Sequence, residues 1–122
     1  ILREVIVPID DARTGTNYQK MAQPASGFAI VGVATRVRQN AGKVSFVRIG
    51  VTGLSNHAYR ATAAEKALEG QPASPNDIQN AAALVAQGVD ANSDLHASAD
   101  YRKHLAVVHA ARALRTAISR IT

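Results

Sequence analysis

The sequence divides into two parts with different hydrophobic periods, and this division constrains the fold more than any other feature. Up to residue 54 the apolar residues follow the two-residue period of a strand, whereas after residue 61 they recur at helical spacing. Strands and helices that are grouped along the chain are typical of α+β domains with segregated layers. The 122 residues suffice for one domain with a single core. We therefore predict, for residues 1–122, an antiparallel sheet of three to four strands packed on one face by three helices.

Three segments of the first part are predicted to be strands from their own pattern. They are residues 1–8, 28–38 and 43–54. The first alternates and ends at Pro8, and the second is apolar on both faces at first, as in a covered central strand. The third places Val47, Ile49 and Val51 on one face. A hairpin is predicted at the Asn40-Ala41-Gly42 connection between the second and third.

Two helices are predicted from the signals at their ends. Thr62 and Glu65 have the spacing of a capping box, and Gly70 lies where a C′ residue would end a short helix. Ser74 followed by Pro75 predicts the start of the next helix, because proline is favoured at the first helical position.

A third, longer helix is predicted from Ser98, as its N-cap, to about residue 121. One apolar stripe at helical spacing is expected to face the sheet. Its members are Val107, Ala111, Leu114, Ile118 and Ile121.

Composition argues against several classes of protein. The net charge is +5, but the basic residues are scattered and no nucleic-acid-binding motif is present, so nucleic-acid binding is rejected as the leading interpretation. No apolar run approaches the ~20 residues of a membrane span. The absence of cysteine excludes disulfides and thiolate ligands, and it fits a reducing compartment such as the cytoplasm. Because the chain starts at Ile1 with no initiator methionine, we expect a piece of a longer polypeptide.

No catalytic or metal-binding motif is recognised. The four histidines are His57, His96, His104 and His109. His104 and His109 are five residues apart, about 140° around a helix, so they cannot bind one metal from one helix face. The glycines form neither a dinucleotide-binding nor a P-loop pattern, and those in strands are interpreted as bulges or points of close packing. We therefore predict no catalytic residue and no metal site.

Four segments in order carry a resemblance to a known family. They are Tyr18-Gln19-Lys20, residues 28–34, residues 59–68 and residues 93–105. Together they resemble the C-terminal domain of the FAD-binding flavoprotein (medium) subunit of molybdenum hydroxylases, the family of carbon monoxide dehydrogenase and xanthine dehydrogenase. The resemblance runs from about residue 5 to residue 121, and it implies a further strand at residues 17–21.

The resemblance implies an oxidoreductase parent in which electrons pass from molybdopterin through iron–sulfur clusters to FAD. FAD would belong to the full-length subunit and not to this fragment, which alone would be inactive. Molybdopterin and the clusters would belong to a large and a small partner subunit. The alternative is a stand-alone α+β protein-interaction module without a redox role.

The resemblance also implies roles for four residues. Tyr18 would cover the flavin ring and Lys20 would lie near its polar edge, where an ammonium favours the anionic reduced form. Arg60 and Arg102 would anchor an interface through bidentate pairs. The alternatives are that Tyr18 packs on the sheet, that Lys20 is a solvated charge, and that both arginines are structural. Residues 22–28 lack the basic pair of many relatives, so contacts made by that pair are not expected here.

Overall fold

A computed structural model, which describes residues 1–7 and 9–122, shows a four-stranded antiparallel sheet with three helices. The strands are β1 Thr14–Ala22, β2 Ala29–Asn40, β3 Lys43–Thr52 and β4 Tyr59–Arg60. The helices are α1 Thr62–Leu68, α2 Pro75–Ala83 and α3 Ala99–Ser119. The strands lie side by side in chain order. This architecture confirms the predicted α+β fold, and the strand expected at residues 17–21 is the middle of β1.

The strand predicted at residues 1–8 is wrong for the part that the structure describes. Residues 1–7 have no regular secondary structure, and Pro8 lies outside the described residues. The large hydrophobic residues of this segment are all exposed, namely Ile1, Leu2, Val5, Ile6 and Val7. An alternating pattern becomes a strand only when a neighbouring strand accepts its hydrogen bonds, and no described strand pairs with this segment.

The β2–β3 hairpin fixes which side chains of the two strands enter the core. Ala41 and Gly42 both have positive φ, 48° and 74°, as the two central residues of a type I′ turn require. The predicted hairpin is therefore confirmed. The resulting register buries one alternating set of side chains completely, namely Val31, Val33, Val37, Val47 and Ile49. The other set forms the opposite face of the sheet.

Helix α3 packs on the sheet through alanines rather than through the larger residues of the predicted stripe. The fully buried alanines are Ala106, Ala110, Ala113 and Ala117. Of the predicted stripe, Leu114 is fully buried, but Ile118 is only partly buried. Helix α3 lies so close to β1 that a Cβ at Gly15 would be 2.8 Å from the carbonyl carbon of Ala117. This short distance between helix and strand explains why alanines, and not the larger residues, are buried there. Small side chains allow this approach, and larger ones are placed at the flanks.

Two of the three helices begin with the N-terminal cap that the sequence predicted. Ser98 caps α3, and Ser74 forms a reciprocal capping box with Asp77 at the start of α2. The capping box predicted from Thr62 and Glu65 is wrong, since the N-cap of α1 has no side-chain hydrogen bond. The Glu65 carboxylate instead accepts a hydrogen bond from the backbone N–H of Ile49.

Candidate functional site

The sheet face opposite the helices carries three of the four residues predicted to be functional. Tyr18 of β1 pairs with Ala34, Ala34 with Gly50, and Gly50 with Arg60 of β4, so these four residues form one row across the sheet. Lys20 lies in the next row on the same face. Strand pairing therefore brings the motifs around residues 18 and 60 to one surface. We call this surface, the sheet face opposite the helices, the open face.

The centre of the open face has almost no projecting side chains. Gly32, Ala34 and Gly50 form its floor, and a shallow cavity of about 220 Å³ lies above it, bordered by Tyr18 on one side and by residues 51–52 and 58–59 on the other. A Cβ added at Gly50 would meet nothing within 4 Å. A flat, largely apolar floor with the aromatic side chain of Tyr18 at one side is suited to a planar ring system.

Tyr18 lies across this floor and remains half exposed. Its side chain is directly opposite Ala34 in register, but its ring extends toward the neighbouring pair and lies over Gly32. The phenol is in contact with the sheet on one side, and the residue as a whole is 51% exposed. One ring face is therefore available for stacking.

Lys20 is the cation of the open face that has no carboxylate partner among the described residues. Its Nζ donates a hydrogen bond to the backbone carbonyl of Gly27 at 2.9 Å, which leaves donor capacity on the ammonium. The arginines of this face have acidic partners: Arg36 pairs with Asp10, and Arg48 and Arg60 pair with glutamates of α1 and its C-cap. The uncompensated positive charge is therefore at Lys20.

Arg60 forms a bidentate pair within the chain. Its Nη2 and Nε lie 2.5 Å and 3.2 Å from the two carboxylate oxygens of Glu65, whose side chain is almost fully buried. Burial raises the pKa of Glu65, but hydrogen bonds from Arg60 and from the Ile49 N–H outweigh it and hold that pKa below its ordinary value. The pair connects α1 to β3 and β4.

Arg102 is buried at the start of α3 and is occupied by partners within the chain. Its Nη1 donates to the carbonyls of Ile30 and Gly53 at 2.5 Å and 2.9 Å, and its Nη2 to Asp94 at 2.7 Å. Asp94 is the acidic partner that a cation in a first helical turn needs. This geometry supports the structural alternative for Arg102, and its interface role stays a prediction.

The histidines do not come together in a site. His57 contacts Asn56, and His109 is buried on α3 with a pKa lowered by burial and by the nearby Arg112. Among the described residues, no group of three or more His, Cys, Asp or Glu side chains could hold a metal ion. No helix in that part of the chain is both long and apolar enough to cross a membrane.

Sequence reasoning predicted bulges or close packing at the strand glycines but did not place Gly32 and Gly50 side by side on one surface. Gly32 is a point of close packing, because an added Cβ would lie 3.0 Å from Cζ of Tyr18. Gly50 is neither, since the β2–β3 ladder is regular there and an added Cβ would meet nothing within 4 Å. Once the strands are paired, both glycines lie on the same face of the sheet as Tyr18 and Lys20. Only the register between strands could reveal that these small residues are neighbours.

The fold and the open face thus define an α+β scaffold with a flat surface on one side of its sheet. The family described as CO dehydrogenase flavoprotein C-terminal domain matches residues 16–117. This match covers most of the chain, so the chain belongs to that family, and the resemblance seen in its four motifs is confirmed.

Named relatives agree with this assignment. The chain is 32% identical over 121 residues to the 6-hydroxypseudooxynicotine dehydrogenase complex subunit alpha of Paenarthrobacter nicotinovorans, covering 98% of this chain and 41% of that protein. It is 30% identical over 105 residues to the nicotine 6-hydroxylase medium subunit of the same organism, covering 86% and 36%. The chain therefore spans roughly two fifths of the relatives that it matches.

A solved structure shares the fold. A chain of carbon monoxide dehydrogenase from Hydrogenophaga pseudoflava, in a form lacking the Mo-pyranopterin moiety of the molybdenum cofactor, superimposes with a TM-score of 0.89 at 34% identity. The match covers 95% of this chain and 40% of that chain. None of these findings favours the alternative of an interaction module without a redox role.

Proposed function

We propose that this domain forms one wall of the FAD site in the medium subunit of a molybdenum hydroxylase, and that the open face is that wall. The observation that supports this most directly is the floor of Gly32, Ala34 and Gly50, with half-exposed Tyr18 across one end. An isoalloxazine is a planar, mostly apolar ring with a polar edge, and the residues of the open face fit such a group.

Tyr18 and Lys20 have different roles in this proposal. The Tyr18 ring packs against the flavin and excludes water from it, since an aromatic ring stacks favourably on another planar ring. The Lys20 ammonium has no acidic partner among the described residues, so it can interact with negative charge at the polar edge. FAD supplies the redox chemistry, and this chain supplies contact, shielding and electrostatic stabilisation.

The parent protein would be an oxidoreductase that passes electrons from molybdopterin through iron–sulfur clusters to FAD. Its partners would be a molybdopterin-binding large subunit and an iron–sulfur small subunit. The family match, the medium-subunit relative and the molybdenum cofactor of the matching carbon monoxide dehydrogenase support this assignment. A cytoplasmic location is proposed with it, because the chain has no cysteine and so none of the disulfides that are typical of secreted domains.

Subunit contacts are proposed at Arg60 and, with less structural support, at Arg102. The Arg60 side chain is 55% exposed although its guanidinium is paired with Glu65, so its free edge is available to another subunit. Arg102 is 5% exposed and has three acceptors within the chain. Arg102 would act on an interface only by holding the turn around Asp94 in place.

Replacement of Tyr18 in the flavin-containing parent protein tests the wall. Tyr18→Ala should shift the flavin absorption bands and weaken FAD retention, because one ring face becomes exposed to water. Tyr101→Ala is the matched control, since Tyr101 is also exposed but belongs to α3 and not to the open face. Unchanged flavin spectra in Tyr18→Ala, together with strong destabilisation of the domain, would show instead that Tyr18 is a packing residue.

Replacement of Lys20 tests the charge. Lys20→Ala should make the flavin harder to reduce, by roughly 20–40 mV for a two-electron couple, or about 1–2 kcal/mol. The exposed Lys103 of α3 provides the control variant Lys103→Ala, which removes the same charge away from the open face. Equal potentials in the Lys20 variant and the unmodified protein would reduce Lys20 to a surface charge.

A further inference from the structure

The position of the Tyr18 ring depends on one residue of the neighbouring strand. A Cβ added at Gly32 would lie 3.0 Å from Cζ of Tyr18 and closer still to its hydroxyl oxygen. Real Cβ atoms hardly ever approach a neighbour so closely, so the observed ring position requires a residue without a side chain at position 32. Nothing comparable surrounds Gly50, where an added Cβ would have no neighbour within 4 Å.

The backbone gives no other reason for a glycine at position 32. Gly32 is not among the glycines with positive φ, and it lies in the regular ladder of β2, paired with Lys20 and Thr52. A glycine inside a strand costs roughly 0.5–1 kcal/mol relative to alanine. Since the backbone conformation does not require glycine here, this loss of stability indicates that the glycine is needed for the space above it, which the Tyr18 ring occupies.

Tyr18 has alternative positions that Gly32 makes less favourable. Tyrosine χ1 occupies three staggered wells, and a half-exposed ring on the edge strand β1 can also extend into solvent. Contact between the ring and the bare backbone of β2 favours the position that lies flat along the sheet. A methyl group at position 32 would remove that contact and lift the phenol away from the floor.

We infer that Gly32 is a positioning residue for Tyr18: by lacking a side chain, it lets the phenol lie flat on β2 in the orientation that meets a planar ligand. The consequence for flavin rests on the proposed function, whereas the effect on the ring itself does not. Gly32 thereby acts on a planar ligand through Tyr18, whose ring lies over it.

The first experiment measures the ring directly in the 122-residue chain. With isotope-labelled tyrosine, NMR couplings and ring resonances report χ1 of Tyr18 in the unmodified chain, in Gly32→Ala and in Gly50→Ala. We expect a changed rotamer in Gly32→Ala and an unchanged one in Gly50→Ala. An unchanged Tyr18 rotamer in folded Gly32→Ala overturns the inference.

A second variant covers failure of Gly32→Ala to fold. The added methyl would also lie 3.0 Å from Cγ2 of Thr52, so the double variant Gly32→Ala/Thr52→Ser removes that contact while keeping the hydroxyl group. The same change of Tyr18 rotamer is expected there, and its absence is equally decisive against the inference.

The second experiment is a double-mutant cycle in the flavin-containing parent protein, read by the flavin absorption spectrum. Gly32→Ala should shift the bands in the presence of Tyr18 and should have no further effect in a Tyr18→Ala background, because the two residues then act as one unit. An equal shift in both backgrounds would mean that Gly32 acts independently of Tyr18, and the inference would be wrong. If Tyr18→Ala alone leaves the spectrum unchanged, the proposed function fails, while the NMR result still decides the positioning role.

Discussion

Replacing Glu65 with glutamine tests the connection between α1 and the sheet. The buried carboxylate accepts hydrogen bonds from the Ile49 N–H at 2.9 Å and from Arg60 at 2.5 Å and 3.2 Å. Glutamine has the same shape as glutamate, but it has one acceptor oxygen instead of two. Its NH₂ group would face the Ile49 N–H or the Arg60 guanidinium, which are both donors. Each hydrogen bond to a charged group contributes about 1.5–3 kcal/mol. Breaking a buried pair costs about 3–5 kcal/mol, but Arg60 is half exposed and can regain water.

We therefore expect Glu65→Gln to lower the free energy of unfolding by about 2–3 kcal/mol. For a domain of this size that corresponds to a decrease in Tm of roughly 6–15 °C. Glu69→Gln is the matched control, because Glu69 pairs with Arg48 at 3.2 Å where both side chains are about 40% exposed. Such surface pairs contribute about 0–1 kcal/mol. Urea unfolding followed by circular dichroism measures both variants.

The difference between wild type and Glu65→Gln should also depend on pH. The pKa of Glu65 in the folded chain lies below its ordinary value, so the folded state binds fewer protons than the unfolded state. The stabilisation is present above the unfolded pKa of about 4.3 and is lost as the pH falls through the folded pKa. Equal destabilisation by Glu65→Gln and Glu69→Gln, or a difference that grows on acidification, would refute the reasoning.

Three further predictions concern the core and the cofactor. Leu114→Ala should cost about 2–5 kcal/mol in chemical unfolding, whereas Arg115→Ala at an exposed position should change stability by less than about 0.5 kcal/mol; similar values would mean that the buried face of α3 is wrongly assigned. Gly15→Ala should destabilise the fold strongly in the same assay, since the new methyl group would meet the backbone at Ala117, and a wild-type Tm would contradict that close approach. The purified chain should bind FAD with a Kd no tighter than millimolar, a binding free energy of about 4 kcal/mol, because its sequence has no glycine-rich phosphate-binding motif. A micromolar Kd measured by quenching of flavin fluorescence would contradict a purely supporting role.

Local sequence signals determined most of the secondary structure. The alternation of β3, the Ala41-Gly42 hairpin and the caps at Ser74 and Ser98 depend on neighbouring residues, and each is present as predicted. The four family motifs were likewise readable in the sequence, and the family match confirms them. Short-range chemistry is visible in a single sequence because the interacting groups are only a few residues apart.

Features that depend on distant residues were decided only by the tertiary structure. The sequence pattern could not show that none of the described strands pairs with residues 1–7. It also could not show that the Glu65 carboxylate accepts hydrogen bonds from Ile49 and Arg60 instead of capping its helix. Nor could it show that α3 meets the sheet through small alanines, because the distance between two layers is set by both surfaces together. The open face has the same origin, since strand register aligns residues that are far apart in the chain.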